Sequence, residues 1–258
     1  MQKEEIKFAD STVFEGMTSI RAILKGNDIF VNDRQIKKII FSKKRYKSIF
    51  KEVGYLKAIS EKRGFVVEES SDEKINELTL GNTHGGIIAI AENRKLPALT
   101  SVDQIRDDGF YAMIEGIEDP YNFGYSLRSL YAMGCDGIIL CERNWMSAAG
   151  VVARSSAGAS EMFDIMTADP ILAAELFKQK GYRIVCADEK TDKILGECDL
   201  KLPILLIVGG ERRGISSSLI EHADILVKID YGREFRASLS AASATTMFAY
   251  EIHRQNHK

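Results

Sequence analysis

The chain has 258 residues, 45% of them hydrophobic and 28% charged; the length suggests two domains, and the composition excludes a disordered or fibrous protein. Met1 to Lys7 is charged and precedes no apolar stretch with a small-residue cleavage site, and the longest apolar runs, such as residues 203–208, are strand length, far short of the ~20 residues a membrane helix needs. Neither a secretory leader nor a membrane span is expected, and a cytoplasmic location follows as an expectation.

The net charge of −2 conceals a segregation, because residues 21–65 hold 13 Lys+Arg against 4 Asp+Glu. Clustered cations gain from counterion release along a phosphate backbone, although a solvated helix face would look the same. The run Lys43, Lys44, Arg45, Tyr46, Lys47 interleaves an aromatic, which favours RNA. In chain order, residues 36–42 read as a strand and residues 45–62 as a helix, its apolar positions Ile49, Phe50, Val53, Leu56 and Ile59 recurring at helical spacing. Residues 65–68 read as a second strand, 72–80 as a short helix and 86–91 as a third strand. This α/β unit ends near Glu92, and residues 93–101, with one of only four prolines, form the linker. The expected domains are residues 1–98 and 99–258.

Beyond the linker, strands are predicted over residues 111–116, 137–141, 182–187, 204–208 and 225–229. Helices alternate with them over 123–133, 148–155, 170–180 and 216–222, and a last helix spans 241–254. This α/β alternation predicts a mainly parallel sheet covered on both faces. Cys135, Cys141, Cys186 and Cys198 form no C-x-x-C pair and read as mostly buried, reduced thiols rather than a disulfide framework.

Parallel sheets bind ligands at the carboxyl ends of their strands, and three loops there stand out. In the first, residues 114–128, Asp119-Pro120 makes a turn, Asn122 can cap the next helix, Gly124 permits close approach and Arg128 lies in that helix's first turns. Read alone, it is also an ordinary capped connection with a solvated arginine. In the second, Leu206 to Ser216, a strand breaks into glycines. Gly209 and Gly214 have P-loop spacing, but Ile215 stands where a phosphate-binding lysine is required, and no G-x-G-x-x-G follows a strand; NTPase and NAD-dependent readings are therefore poor. Glu211 sits between the glycines. The third runs from Val227 through Ile229, Ser238, Leu239 and Ser240 into the small residues Ala241, Ala242, Ser243 and Ala244, which suit tight packing or a dimer seam.

As a set, these segments resemble the three signature motifs of the SpoU/TrmH branch of the SPOUT methyltransferases. Asp119-Pro-Tyr-Asn122-Phe-Gly124-Tyr-Ser-Leu-Arg128 carries the first, Gly209-Gly-Glu211-Arg-Arg-Gly214-Ile-Ser the second, and Ile229 with Ser238-Leu239 the third. Residues 155–161 look like the family's Ser-Ala-Gly-Ala stretch, and Thr83-His-Gly-Gly like the element ending its N-terminal domain.

The resemblance implies a C-terminal parallel-sheet domain with a trefoil knot and a smaller N-terminal ribosomal L30-like RNA-binding domain. It further implies S-adenosylmethionine held by Gly209, Gly214, Ile229, Ser238 and Leu239, a homodimer, and methyl transfer to a ribose 2′-hydroxyl in rRNA, with tRNA second. Arg128 matches the catalytic arginine. A guanidinium is a poor base, so a phosphate clamp that orients the hydroxyl suits it better, with Asn122 and Glu211 holding arginine and ribose in place. Two departures stand out: Ser240 replaces the asparagine of the family's Ser-Leu-Asn, and Asp230 follows Ile229 where proline is usual. They motivate the alternative of an RNA-binding relative with weakened or lost turnover.

Overall fold

The computed structural model describes residues 12–80, 84–117, 119–141 and 145–257; Thr83 and the charged N-terminus singled out above lie outside them. In chain order come β1 (Val13–Glu15), α1 (Gly16–Asp28), β2 (Ile36–Ser42), α2 (Tyr46–Arg63), β3 (Val66–Ser70), α3 (Asp72–Leu78) and β4 (Ile87–Ala91). Then follow β5 (Phe110–Glu115), α4 (Pro120–Ala132), β6 (Gly137–Leu140), α5 (Ala149–Ser155), β7 (Asp164–Thr167) and α6 (Pro170–Gln179). The chain closes with β8 (Arg183–Ala187), β9 (Ile204–Gly209), α7 (Ser217–Ile220), β10 (Ile225–Val227) and α8 (Ala241–Asn256). The sequence reading placed most of these; β1, α1 and β7 it did not assign. No helix among the described residues is long and apolar enough to cross a membrane.

Two compact units result. The first comprises residues up to Lys95 together with Trp145–Met162; the second comprises Leu96–Asn144 and Phe163–Lys258. In the first, β1-β4-β2-β3 form a sheet in which only β2 and β3 run parallel. Alternation along β2 sends Ile39 and Phe41 into the core with Ile20 and Ile23 of α1 and Val53 and Leu56 of α2, and Ile40 to the other face against Ile75 of α3. Of the apolar positions assigned to α2, Phe50 departs from the expectation: it is 53% exposed, next to Ile49, whose φ −120°, ψ 16° break the helix.

The stretch 145–162 belongs to this unit because its small residues let backbone approach backbone. A Cβ on Gly150 would lie 2.1 Å from the carbonyl oxygen of Val13, and one on Gly158, at φ +88°, would lie 2.5 Å from Ala22 Cβ. Glu161, fully buried, accepts hydrogen bonds from Arg34 Nε at 2.9 Å and Asn32 Nδ2 at 2.6 Å. Arg34 also donates to the Glu92 carbonyl at 2.7 Å and lies 4.6 Å from the Phe14 ring centre, so neither buried charge lacks a partner.

In the second unit, β10-β8-β9-β5-β6-β7 form an all-parallel sheet. The central strands β5 and β9 are near-continuous apolar runs because both their faces are covered. Met113, Ile139, Leu205 and Ile207 pack with Ala173, Ala174 and Phe177 of α6. The α4 helix packs against α8, and Ser129 and Thr246 share a hydrogen bond of 2.6 Å between them. The four cysteines form no disulfide, and burial pushes the Cys141 and Cys186 thiols up to about 12.

Candidate active site

The three loops converge at the carboxyl ends of β5, β9 and β10, all of them within the second unit. Local chemistry fixes each entrance. Asp119, not Asn122, caps α4, its carboxylate accepting the Asn122 N–H at 2.7 Å with Pro120 following at the helix start. The expectation that Asn122 caps the helix is corrected, for a physical reason: a cap must precede the first turn, and Asn122 lies within it. Its side chain is thereby left for another task.

That task is Glu211. Asn122 Nδ2 donates to Glu211 Oε1 at 3.0 Å, and the same oxygen accepts the backbone N–H of Ala241 at 3.0 Å. One carboxylate therefore joins the loop after β5, the loop after β9 and the first turn of α8, where the helix dipole favours negative charge. The link spans 89 residues to Asn122 and 30 to Ala241.

The glycines of the second loop answer to backbone crossing. A Cβ on Gly209 would lie 2.2 Å from the carbonyl carbon of Gly214, and one on Gly210 would lie 1.9 Å from the Gly116 oxygen. Gly210 N–H donates to the Glu115 carbonyl at 2.7 Å, and Gly214, left-handed at φ +63°, donates back to the Gly210 carbonyl at 2.9 Å. Glu115, whose carboxylate accepts the Ser216 N–H at 3.0 Å, was not among the expected site residues. Its signal was a carboxylate ending the otherwise apolar strand Phe110–Glu115.

In the third loop Ser240 caps α8, accepting from Ser243 N at 3.2 Å and sharing a 3.0 Å contact with the Ser243 hydroxyl. Its hydroxyl is committed to the helix. Leu239 N–H donates to the Tyr231 hydroxyl at 3.2 Å, a brace that no sequence pattern announced. Ile229 and Leu239 are half-buried, and Ser238 is exposed. Among the described residues the Ile229 backbone N–H and C=O make no hydrogen bond; they are a free polar pair beside an apolar side chain.

Arg128 is exposed on α4 and, among the described residues, makes no hydrogen bond or ion pair. It lies six residues after Asn122, roughly 9 Å along the axis at 1.5 Å per residue. Asn122 and Glu211 therefore touch each other and not Arg128. The structure brings together Asn122, Glu211, Gly209, Gly214 and the Leu239–Ala241 turn, and does not bring Arg128 into contact with them.

This constellation agrees with what the chain resembles. Residues 109–250 match the model of the SpoU rRNA Methylase family, and residues 13–97 match that for RNA 2′-O ribose methyltransferase substrate binding. Among curated relatives, YacO of Bacillus subtilis, named provisionally as a TrmH family tRNA/rRNA methyltransferase, is 24% identical over 203 residues, covering 77% of this chain and 81% of its own. The 23S rRNA (guanosine-2′-O-)-methyltransferase RlmB of Shewanella oneidensis is 28% identical over 196 residues, with 74% and 79% covered. Among solved structures, the SpoU methyltransferase AviRb of Streptomyces viridochromogenes in complex with AdoMet superposes with a TM-score of 0.75 at 21% identity, over 94% of this chain and 89% of its own; at that identity the likeness speaks for the fold. With a family model spanning more than half its length, and with the three motif loops drawn together in one unit, the chain belongs to the SpoU rRNA methylase family.

Proposed function

We propose that the chain is an S-adenosylmethionine-dependent RNA 2′-O-ribose methyltransferase, acting on ribosomal RNA ahead of transfer RNA. The observation that carries the reading is the Glu211 carboxylate, which ties Asn122 and Ala241 together, while Arg128, further along α4, is exposed and makes no hydrogen bond or ion pair among the described residues. When bound, the cofactor supplies a methyl group on a sulfonium. Gly209, Gly214, Ile229, Ser238 and Leu239 would hold it: Gly209 because a side chain would collide there, Gly214 because its φ of +63° lets the loop turn, Ile229 through free backbone polar groups, Leu239 through apolar contact.

The chain's own part is positioning. A ribose hydroxyl is a weak nucleophile, and holding it in line with the methyl carbon removes much of the barrier before any proton moves. Glu211 already accepts two hydrogen bonds on one oxygen, and the raised Cys141 and Cys186 thiols remain protonated near neutrality. Arg128 offers a planar set of donors for the phosphate beside the target ribose, and its charge stabilises the developing oxyanion.

Further parts of the reading are a homodimer, a cytoplasmic location, a trefoil knot and domains at residues 1–98 and 99–258. The exposed Tyr121, Tyr125, Met247 and Tyr250 on α4 and α8 support a subunit seam in the second unit, and the close crossing of Gly210 over Gly116 supports the knot. A second reading, an RNA-binding relative without turnover, draws on Ser240, whose hydroxyl is spent on a cap. Incubation of separate ribosomal and transfer RNA fractions with methyl-labelled S-adenosylmethionine distinguishes these. Label concentrated in ribosomal RNA is expected; label in neither, with cofactor binding intact, would favour the second reading.

A further inference from the structure

At the start of α2 the sequence works against the helix. Residues 43–51 contain Lys43, Lys44, Arg45, Lys47 and Lys51 and no carboxylate. The helix begins at Arg45 with no side-chain cap and no acidic residue in its first turn. Cations at the positive end of a helix are repelled, so the fold gains nothing from this arrangement. Lys43 and Arg45 lean on Glu69 at 3.6 Å and Asp72 at 3.7 Å. Lys44, Lys47 and Lys51 are exposed and, among the described residues, make no hydrogen bond or close ion pair, Lys44 feeling the Glu73 carboxylate only at longer range.

Two aromatic rings stand among these charges. Tyr46 is 43% exposed and Phe50 53%. The Tyr46 ring is held from behind by Phe41, 5.6 Å between centroids, so one of its faces is already fixed. Phe50 is set outside by the break at Ile49, although its spacing belongs with buried Val53 and Leu56. A local rule broken three times in one place, in capping, charge and apolar exposure, marks function rather than stability.

We infer that this end of α2 is a stacking platform for a single-stranded stretch of the substrate RNA: Tyr46 and Phe50 take unpaired bases, and Lys44, Lys47 and Lys51 follow its phosphates. The inference rests on the reading of the chain as an RNA methyltransferase and adds which form of RNA the first unit grips. Every base has a π-face, so rings within a lysine field bind a strand with little regard to sequence. In a duplex the bases are stacked on one another and the rings find no partner.

Fluorescence anisotropy of the full chain tests this, with a labelled oligouridylate of about twelve nucleotides and a duplex RNA of equal length as probes. Phe50→Ala should weaken oligouridylate binding about tenfold and leave duplex binding within about twofold. Phe50→Trp should restore or tighten it, and Tyr46→Leu, which keeps cover over Phe41, should weaken it in the same sense. Replacing Lys44, Lys47 and Lys51 by Gln should lower the slope of log affinity against log salt by about two. Calorimetric S-adenosylmethionine binding and the melting temperature should stay unchanged throughout, separating this platform from the methyl-transfer site. Unchanged oligouridylate affinity in Phe50→Ala overturns the inference, and so does an equal loss on the duplex. A co-purifying protein lost on Phe50→Ala, with RNA affinity unchanged, would reassign the face to a protein partner.

Discussion

At the scale of single residues, the candidate site was legible wherever chemistry sits in a short pattern, and illegible where it depends on which atom faces which. Arg128, Asn122, Glu211, Gly209 and Gly214 all carry sequence signals. That Glu211 would bridge Asn122 and Ala241 carries none, because the partners are far apart in the chain. Arg128→Ala should lower methyl transfer about 10²–10³-fold and leave cofactor affinity within a few-fold, since the lost interactions form only with RNA in place. Gly210→Ala would place a Cβ 1.9 Å from the Gly116 oxygen; a loss of about 1–3 kcal/mol in stability, together with weaker cofactor binding, is expected in melting and calorimetry. In the first unit, buried His84 accepts from Gly86 N at 3.1 Å and meets Asn76 at 3.0 Å. Burial first, and the Arg45 charge second, hold its imidazole below the ordinary value of about 6.5. Below that value the unfolded chain binds the proton more readily than the folded one, so stability is full above about pH 6.5 and declines as pH falls through the window beneath it. His84→Asn should flatten that decline in a series of melts across pH; an unaltered slope would show that the imidazole is not its source.

At the scale of elements, periodicity found most helices and strands within a few residues. It left α1 unassigned although that helix is 13 residues long, and it failed for β1 and β7, which are three and four residues long and offer too short a window for alternation to register. It also put Phe50 on the buried side of α2, because a spacing rule cannot see the break at Ile49. The cap of α8 allows a clean test of the departure at Ser240. Ser and Asn are comparable caps, so Ser240→Ala should cost about 1 kcal/mol and Ser240→Asn only a few tenths in chemical denaturation. A large loss for Ser240→Asn would mean that the turn from Leu239 into α8 has adapted to the smaller side chain.

At the scale of the whole molecule, strand and helix alternation predicted the parallel sheet, and the motif set predicted the family. The membership of Trp145–Met162 in the first unit was hidden, since it arises from close backbone approach at Gly150 and Gly158 and from the buried Arg34–Glu161 pair. Breaking that pair with Arg34→Met would strand a buried carboxylate and should cost about 3–5 kcal/mol in denaturant unfolding of the first unit; a cost below about 1 kcal/mol would mean that Glu161 finds water instead. Above these parts stands the claim that the second unit transfers methyl groups to ribose by positioning, with Arg128 as its free cation. Its most direct test is alkaline hydrolysis of ribosomal RNA after incubation with methyl-labelled S-adenosylmethionine and either wild type or Arg128→Ala, because a 2′-O-methyl group protects the adjoining phosphodiester. The account predicts label in alkali-resistant dinucleotides with wild type and almost none with Arg128→Ala. Label released as mononucleotides, or undiminished by the substitution, would contradict it.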